Sequence, residues 1–137
     1  MRYMLDTNIC IYIAKRNPPQ VVRRLQVLSK GSAVMSVLTY AELWAGLELQ
    51  TTRREQDMQA LAVLTNRIPV LPFTDAAAVC FGALRAVVRE RNRDTMDRLI
   101  AAHAVSLNLI LITNNEADFK GYPGLRVENW AVPDAAV

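Results

Sequence analysis

The chain has 137 residues, of which 52% are hydrophobic and 21% are charged, and its 16 Lys and Arg against 13 Asp and Glu give a formal charge of +3. This composition excludes an intrinsically disordered chain, and the length suits one domain over residues 1–137 rather than two. No apolar run reaches the roughly 18 residues that cross a membrane, and Asp6 stands where a secretory signal would be apolar. We therefore expect a cytoplasmic protein without a membrane segment, in which Cys10 and Cys80 are reduced, buried thiols.

Five short apolar runs alternate with longer segments that mostly have helical periodicity. The runs predict strands at Arg2–Leu5, Ala33–Val37, Ile68–Leu71, Leu109–Ile112 and Leu125–Val127. After the first strand, Thr7 or Asn8 begins a helix. Thr74 is a good N-cap for a helix reaching toward Arg91, and Thr95 for another. The alternation predicts an α/β fold of three layers, with a mainly parallel sheet of four to five strands and helices on both faces.

Acidic side chains follow these strands, at the edge where a parallel α/β sheet usually has its reactive crevice. Asp6 comes directly after the first strand, and Asp97 lies in the first turn of a helix, a position that favours an anion. Asp118 follows the fourth strand. Glu42 lies in a helical segment and shares an apolar stripe that consists of Leu38, Ala41, Ala45 and Leu49. A Glu on a core-facing stripe needs a partner.

Each acid also has an ordinary structural explanation. Asp97 alone could be a helix-terminal charge, Asp6 a turn former and Glu42 the ion partner of an Arg. Gathered within about 4 Å, they would repel by about 4 kcal/mol per pair at an effective dielectric near 20, which raised pKa values or bound cations relieve. Oxygen ligands without a matching Cys and His set favour Mg²⁺ or Mn²⁺ over zinc. The single histidine, His103, is expected to be a hydrogen-bonded core residue.

Five segments carry a resemblance to a known family: MLDTN at 4–8, SVLTYAEL at 36–43, MDRLIAAHA at 96–104, TNNEADF at 113–119 and VENW at 127–130. In this order, and over nearly the whole chain, they resemble the VapC toxins of the PIN-domain ribonuclease family. The resemblance implies a PIN fold and a Mg²⁺- or Mn²⁺-dependent endoribonuclease that hydrolyses RNA and so inhibits translation. It also implies the toxin of a type II toxin–antitoxin system, held inactive by a VapB-type antitoxin, with structured RNA such as tRNA as substrate.

The resemblance also assigns site residues. Asp6, Glu42 and Asp97 match the family's three central acids and are the expected catalytic and metal-binding residues. Polar residues that support them are expected at Thr7, Asn8, Thr113 and Asn115.

Two positions depart from the family pattern. Asp94 stands where family members commonly have a glycine, and Asn115 stands where many have an acid. The fourth ligand is therefore open between Asn115, a water molecule and Asp118. Because of these departures, an alternative function stays open. The chain could be a catalytically silent PIN-like module that binds RNA or an antitoxin without cutting it. An aspartyl phosphotransferase with Asp6 as nucleophile is a weaker rival, because Asn8 replaces the expected second Asp.

Positive charge is densest in one stretch near the third acid. Its members are Arg85, Arg89, Arg91, Arg93 and Arg98. Such a cluster is either an RNA-binding track, whose affinity would fall steeply with salt, or a solvated helix face. Both interpretations stay open.

The helical segment at 37–50 is apolar on nearly every side. A helix of this kind is buried all round or packs against another chain. Aromatic residues are typical interface anchors, and the candidates are Tyr40, Leu43, Trp44 and Leu47. We expect a homodimer with a groove for an amphipathic antitoxin helix, and a central core helix is the alternative.

Overall fold

A computed structural model describes residues 1–50, 52–88 and 95–133. Within these ranges the strands are β1 (Tyr3–Leu5), β2 (Ala33–Ser36), β3 (Val70–Leu71), β4 (Ile110–Ile112) and β5 (Arg126–Glu128). The α-helices are α1 (Thr7–Lys15), α2 (Pro19–Gln26), α3 (Val37–Glu48), α4 (Arg54–Arg67), α5 (Asp75–Val87) and α6 (Thr95–Ser106), and a 3₁₀ turn covers Glu116–Phe119. None of the helices described is long and apolar enough to span a bilayer.

The strands form one parallel sheet in the order β3-β2-β1-β4-β5. β1 is the central strand, with Tyr3 opposite both Ala33 and Ile110. Each strand lies within two residues of the bounds expected from the sequence, so the five-stranded parallel sheet is confirmed. Because all strands run the same way, every residue that directly follows a strand lies at the same edge of the sheet.

Helices cover both faces of the sheet. Along β1, Tyr3 and Leu5 point into one core, which α1 to α4 close, whereas Met4 points into a second core, closed mainly by α5 and α6. The same alternation places Met35 of β2 in the first core and Val34 in the second. Strands covered on both faces are apolar throughout, which is why the sequence shows them as short continuous runs. The three-layer architecture is confirmed.

Side-chain caps fix three of the helix starts. The Asp6 carboxylate accepts a hydrogen bond from Ile9 N at 3.0 Å, the Ser36 hydroxyl one from Leu38 N at 3.1 Å, and Thr74 Oγ1 one from Ala77 N at 3.5 Å. Each satisfies a backbone donor that the first turn leaves without a partner. The start at Thr74 was predicted. The predicted end of that helix near Arg91 lies outside the described residues, and α5 ends at Val87.

The predicted inward face of α3 is wrong. Ala41, Ala45 and Leu49 are exposed, the last to 84%, whereas Thr39 and Leu47 are buried. An all-round apolar helix has no polar face from which its orientation could be read. Leu47 belongs to the first core, so it is not available as the interface residue we expected.

Three expectations about single residues can be compared with the fold. His103 is buried and hydrogen-bonded, as predicted. Cys10 is a fully buried free thiol, which confirms that expectation. Cys80 is also a free thiol but is only partly buried, so the prediction for it was half right.

Trp130 closes one side of the first core. It is 2% exposed, its ring meets Tyr3 edge-on at 5.3 Å, and the Arg24 guanidinium lies 5.3 Å from its centroid. We expect Trp130→Ala to lower the free energy of unfolding by about 3–5 kcal/mol, because it leaves a large cavity. Val63→Ala, at a position 72% exposed, is the control and should change it by less than about 0.5 kcal/mol. Urea denaturation measures both, and equal effects would contradict this account of the core.

Candidate active site

A pocket of about 200 Å³ opens at the carboxyl edge of the sheet. The residues that line it are Asp6, Thr7, Asn8, Glu42, Asp97 and Ile100. They come from the end of β1 and from α1, α3 and α6, so residues far apart in sequence meet here. The structure therefore brings together Asp6, Glu42 and Asp97.

Asp6 is the most constrained of the three acids. Its backbone N–H donates to the Ile112 carbonyl at 2.9 Å, which extends the pairing of β1 with β4 by one residue. Its carboxylate caps α1 and accepts a hydrogen bond from the Thr113 side chain. Burial raises the pKa of Asp6 above its ordinary value of 3.8, and the nearby Glu42 charge adds to the rise, although the hydrogen bonds oppose it. A buried carboxylate with a raised pKa favours a positive charge next to it.

Glu42 is held from α1. The Thr7 hydroxyl donates a short hydrogen bond to Glu42 Oε1, so the first residue of α1 fixes a carboxylate of α3. Glu42 is half-buried, which is consistent with a side chain that lines a pocket rather than a core. Thr7 and Asn8 both line the same pocket, as supporting residues would.

Asp97 lies in the first turn of α6, where the partial positive charge of the helix N-terminus stabilises an anion. The middle of this helix is buried: Ile100, Ala101 and Ala104 are at most 2% exposed. Asp97 is itself half-buried. Packing of α6 therefore fixes the position of Asp97, which lies at the N-terminal end of the helix and lines the pocket.

The acids share a pocket without forming a tight cluster. Among the residues that the structure describes, no three Asp, Glu, His or Cys side chains are close enough together to bind one metal ion as they stand. The donors that line the pocket are nevertheless carboxylate, hydroxyl and amide oxygens, which suit a hard divalent cation. The chemistry of the donor set fits such a cation.

The segment after β4 supports the pocket without lining it. Asn115 donates a hydrogen bond to Asp118 Oδ2, and Thr113 Oγ1 accepts one from Asn115 N at 3.1 Å. Among the described residues, neither Asn115 nor Asp118 lines the pocket. A fourth ligand role for Asp118 therefore has no support in this geometry.

His103 connects two of the helices that carry acids. Its Nδ1 lies 2.8 Å from Ser36 Oγ, the N-cap of α3, and both residues are buried. Burial lowers the pKa of His103 below 6.5, although the Pro72 carbonyl opposes this, so the ring is neutral at neutral pH. Ser36 was not identified from the sequence as a supporting residue, although a Ser directly before a helix is a common N-cap signal.

The basic stretch expected to contact RNA is only partly in view. Arg85 is exposed, whereas Arg98 is 1% exposed, so the expectation that Arg98 lies on an RNA-binding surface is wrong. Arg98 is on the side of α6 that packs inward, which a charge count cannot show. Arg89, Arg91 and Arg93 lie outside the described residues, as does Asp94 at the position where the family commonly has a glycine.

A parallel α/β sheet with acidic side chains at its carboxyl edge is the arrangement of an α/β protein whose reactive crevice lies at that edge. The family model described as PIN domain matches residues 3–125. A ribonuclease VapC2 of Rickettsia felis is 34% identical over 133 residues, covering 95% of this chain and 98% of that protein. A tRNA(fMet)-specific endonuclease VapC of Shigella flexneri is 37% identical over 133 residues, covering 96% and 99%.

A solved structure agrees with these relatives. The crystal structure of VapBC2 from Rickettsia felis, bound to a DNA fragment from its promoter, contains a chain that is 33% identical. The match has a TM-score of 0.81 and covers 95% of this chain and 99% of that one. The chain belongs to the PIN-domain family and, within it, to the VapC ribonucleases. PIN-domain nucleases generally depend on a metal.

The raised pKa of Asp6 predicts how the stability of the folded chain in Asp6→Asn should differ from that of wild type as the pH changes. Asn can still cap α1 with its amide oxygen, but it carries no charge. Because the folded pKa is raised, the contribution of Asp6 to stability should decline as the pH rises from 3.8 through the folded pKa, and this decline should be missing in Asp6→Asn. In EDTA, the variant should be at least as stable as wild type at neutral pH, and its advantage should vanish below pH 3.8.

Denaturation in urea across this pH range measures the effect. Asp75→Asn is the matched control, since Asp75 also lies in the first turn of a helix but is exposed. A neutral-pH loss of stability in Asp6→Asn would show that the carboxylate is better satisfied than its burial implies.

Proposed function

We propose that the chain is the toxin of a type II toxin–antitoxin system and a metal-dependent endoribonuclease that cuts tRNA. The observation that carries the proposal is the shared pocket of Asp6, Glu42 and Asp97 at the carboxyl edge of the sheet. The names of the relatives support it: one is a ribonuclease and another a tRNA(fMet)-specific endonuclease. Cutting tRNA would inhibit translation.

The resident cation is proposed to be Mg²⁺, with Mn²⁺ able to substitute, held by Asp6, Asp97 and Glu42. When bound, it would supply the positive charge that polarises the scissile phosphate and activates water. The hard oxygen donors that line the pocket favour these ions over zinc. His103 cannot contribute a ligand because it is buried against Ser36.

The residues of the chain divide the remaining work. Asp6 and Asp97 are fixed by the sheet edge and by the start of α6, so they would hold the cation in place. Thr7 holds Oε1 of Glu42, which fixes the third carboxylate in the pocket as the remaining ligand that the proposal assigns. The buried Cys10 takes no part, because burial and the charge of Asp6 raise the pKa of its thiol. Hydrolysis by water would leave a 5′-phosphate and a 3′-hydroxyl.

A VapB-type antitoxin is the proposed partner. The related Rickettsia felis toxin was crystallised as VapBC2 with promoter DNA, which supports the same type of assembly for this chain. A homodimer is proposed as well. α3 exposes Ala41 and Ala45, and Leu49, which directly follows it, is 84% exposed. These residues, rather than the buried Leu47, form the apolar surface that a second copy would cover.

The nuclease proposal predicts a specific loss. Asp97→Asn should reduce Mg²⁺-dependent cleavage of tRNA by at least about a hundredfold, because it weakens cation binding and transition-state stabilisation together. Asp75→Asn, which makes the same change in the first turn of α5, should stay within about twofold of wild type. Gel analysis of a panel of purified tRNAs, initiator tRNA included, in Mg²⁺, Mn²⁺ or EDTA gives the result.

Three outcomes separate the alternatives. Metal-dependent cleavage that Asp97→Asn abolishes supports the nuclease. RNA binding without cleavage under every metal condition indicates the catalytically silent module. Full activity of Asp97→Asn, with Asp75→Asn equally active, would remove Asp97 from the site.

The dimer proposal has its own test. A charge in the middle of an apolar contact must be desolvated, so Leu49→Asp should raise the dimer dissociation constant by about tenfold or more. Val79→Asp, at a similarly exposed position on α5, should leave it unchanged. Light scattering over a concentration series measures both. A wild-type chain that stays monomeric at the highest concentration contradicts the dimer.

A further inference from the structure

The segment between the first and second acids has a high net positive charge because it contains no acidic residue. Residues 7–41 contain five Lys or Arg and no Asp or Glu, although the whole chain has a net charge of only +3. All five are exposed: Lys15, Arg16, Arg23, Arg24 and Lys30. The rest of the chain is therefore net negative. We call residues 7–41 the basic α1–α2 region, because all five of its cations are exposed, whereas Arg98 near the third acid is buried.

A second pocket lies in this region, where α1 ends and α2 begins. Its volume is about 410 Å³, and Tyr12, Lys15, Asn17 and Gln20 are among the residues that line it. We call it the Tyr12 pocket. One wall is fixed, because Gln20 Nε2 donates to the Ala131 carbonyl at 2.8 Å. The pocket thus combines an aromatic ring, a cation and two amide side chains.

Side-chain hydrogen bonds connect the Tyr12 pocket to the acidic pocket. Asn8, which lines the acidic pocket, donates to Asn114 Oδ1 at 3.2 Å, and Asn114 Nδ2 donates to the Tyr12 hydroxyl at 3.1 Å. Thr7 and Lys15 are the two ends of α1, so they lie about 12 Å apart along its axis. A single RNA strand covers that distance with a few nucleotides.

We propose that the Tyr12 pocket binds an unpaired nucleotide of the RNA substrate, a few positions from the phosphate that enters the acidic pocket. The Tyr12 ring packs against the base, and Lys15 pairs with a neighbouring phosphate. Aromatic rings and cations bind single-stranded nucleic acid in this way without reading its sequence. This inference rests on the proposed function and names a second contact region of the same substrate.

The charges of the two pockets explain why RNA is the occupant. A polyanion approaching Asp6, Glu42 and Asp97 is repelled unless positive charge lies nearby. Lys15 and Arg16 supply it at the end of the helix that Asp6 caps. Binding of an antitoxin peptide at the same pocket is a separate outcome of the test.

The test measures binding apart from cleavage. The probe is a labelled single-stranded oligoribonucleotide of mixed sequence, titrated with the full chain in EDTA. Lys15→Gln and Tyr12→Ala should each weaken binding about tenfold, and Lys15→Gln should lower the slope of log affinity against log salt by about one. Lys30→Gln is the matched control: it removes the same charge three residues before β2, at the opposite edge of the sheet, and should change binding less than twofold.

Cleavage kinetics complete the design. With tRNA and Mg²⁺, Lys15→Gln should raise KM with little change in kcat, because the contact is remote from the cleaved bond. Lys15 is exposed, so this variant keeps the test valid if Tyr12→Ala fails to fold. Wild-type binding and KM in both variants would overturn the inference while leaving the nuclease intact.

Two further outcomes are distinct. Lys15-dependent RNA binding by a chain that never cleaves would retain the inference and refute the proposed nuclease. Weaker binding of an antitoxin peptide, together with unchanged RNA binding, would assign the pocket to the protein partner and overturn the inference.

Discussion

The site depends on a partly buried carboxylate at the end of the central strand. Asp6 continues the pairing of β1 with β4 through its backbone and begins α1 through its side chain. These two roles leave its position almost no freedom. Burial then makes its negative charge costly, as the raised pKa shows. A fold that fixes an acid in such a place has an unfavourable charge that a cation can relieve.

The other two acids are positioned from this centre. Thr7, the residue after Asp6, holds Glu42, so the start of α1 sets the place of a side chain on α3. His103 joins the N-cap of α3 to α6, the helix that carries Asp97. Two hydrogen bonds, one half-buried and one buried, therefore join α1 and α6 to α3. Such supports keep functional groups within a narrow range of separations.

Part of the fold and the three acids of the site could be predicted from the sequence. Continuous apolar runs identify strands that are covered on both faces, and the Thr74 signal locates the start of α5. The resemblance to VapC toxins selected the three acids that meet in the pocket. The inward face of α3 was not predictable, because apolar residues such as Ala41 and Ala45 also occur on its exposed side and the buried Thr39 is polar. The burial of Arg98 depends on how α6 packs, which charge alone does not reveal.

The basic α1–α2 region was visible in the sequence but was not recognised, since its five cations are spread over many residues instead of forming a run. Only the fold shows their relation to the acids. Asp6 is the N-cap of α1 and Lys15 is its last residue, so a carboxylate and an ammonium group lie at opposite ends of one short helix. A substrate with evenly spaced phosphates can neutralise Lys15 at one end while a cation neutralises the acids at the other. RNA binding and cation binding should therefore strengthen each other. The cation reduces the repulsion between the acids and the RNA phosphates, and the RNA neutralises the positive charge of Lys15, which would otherwise repel the cation.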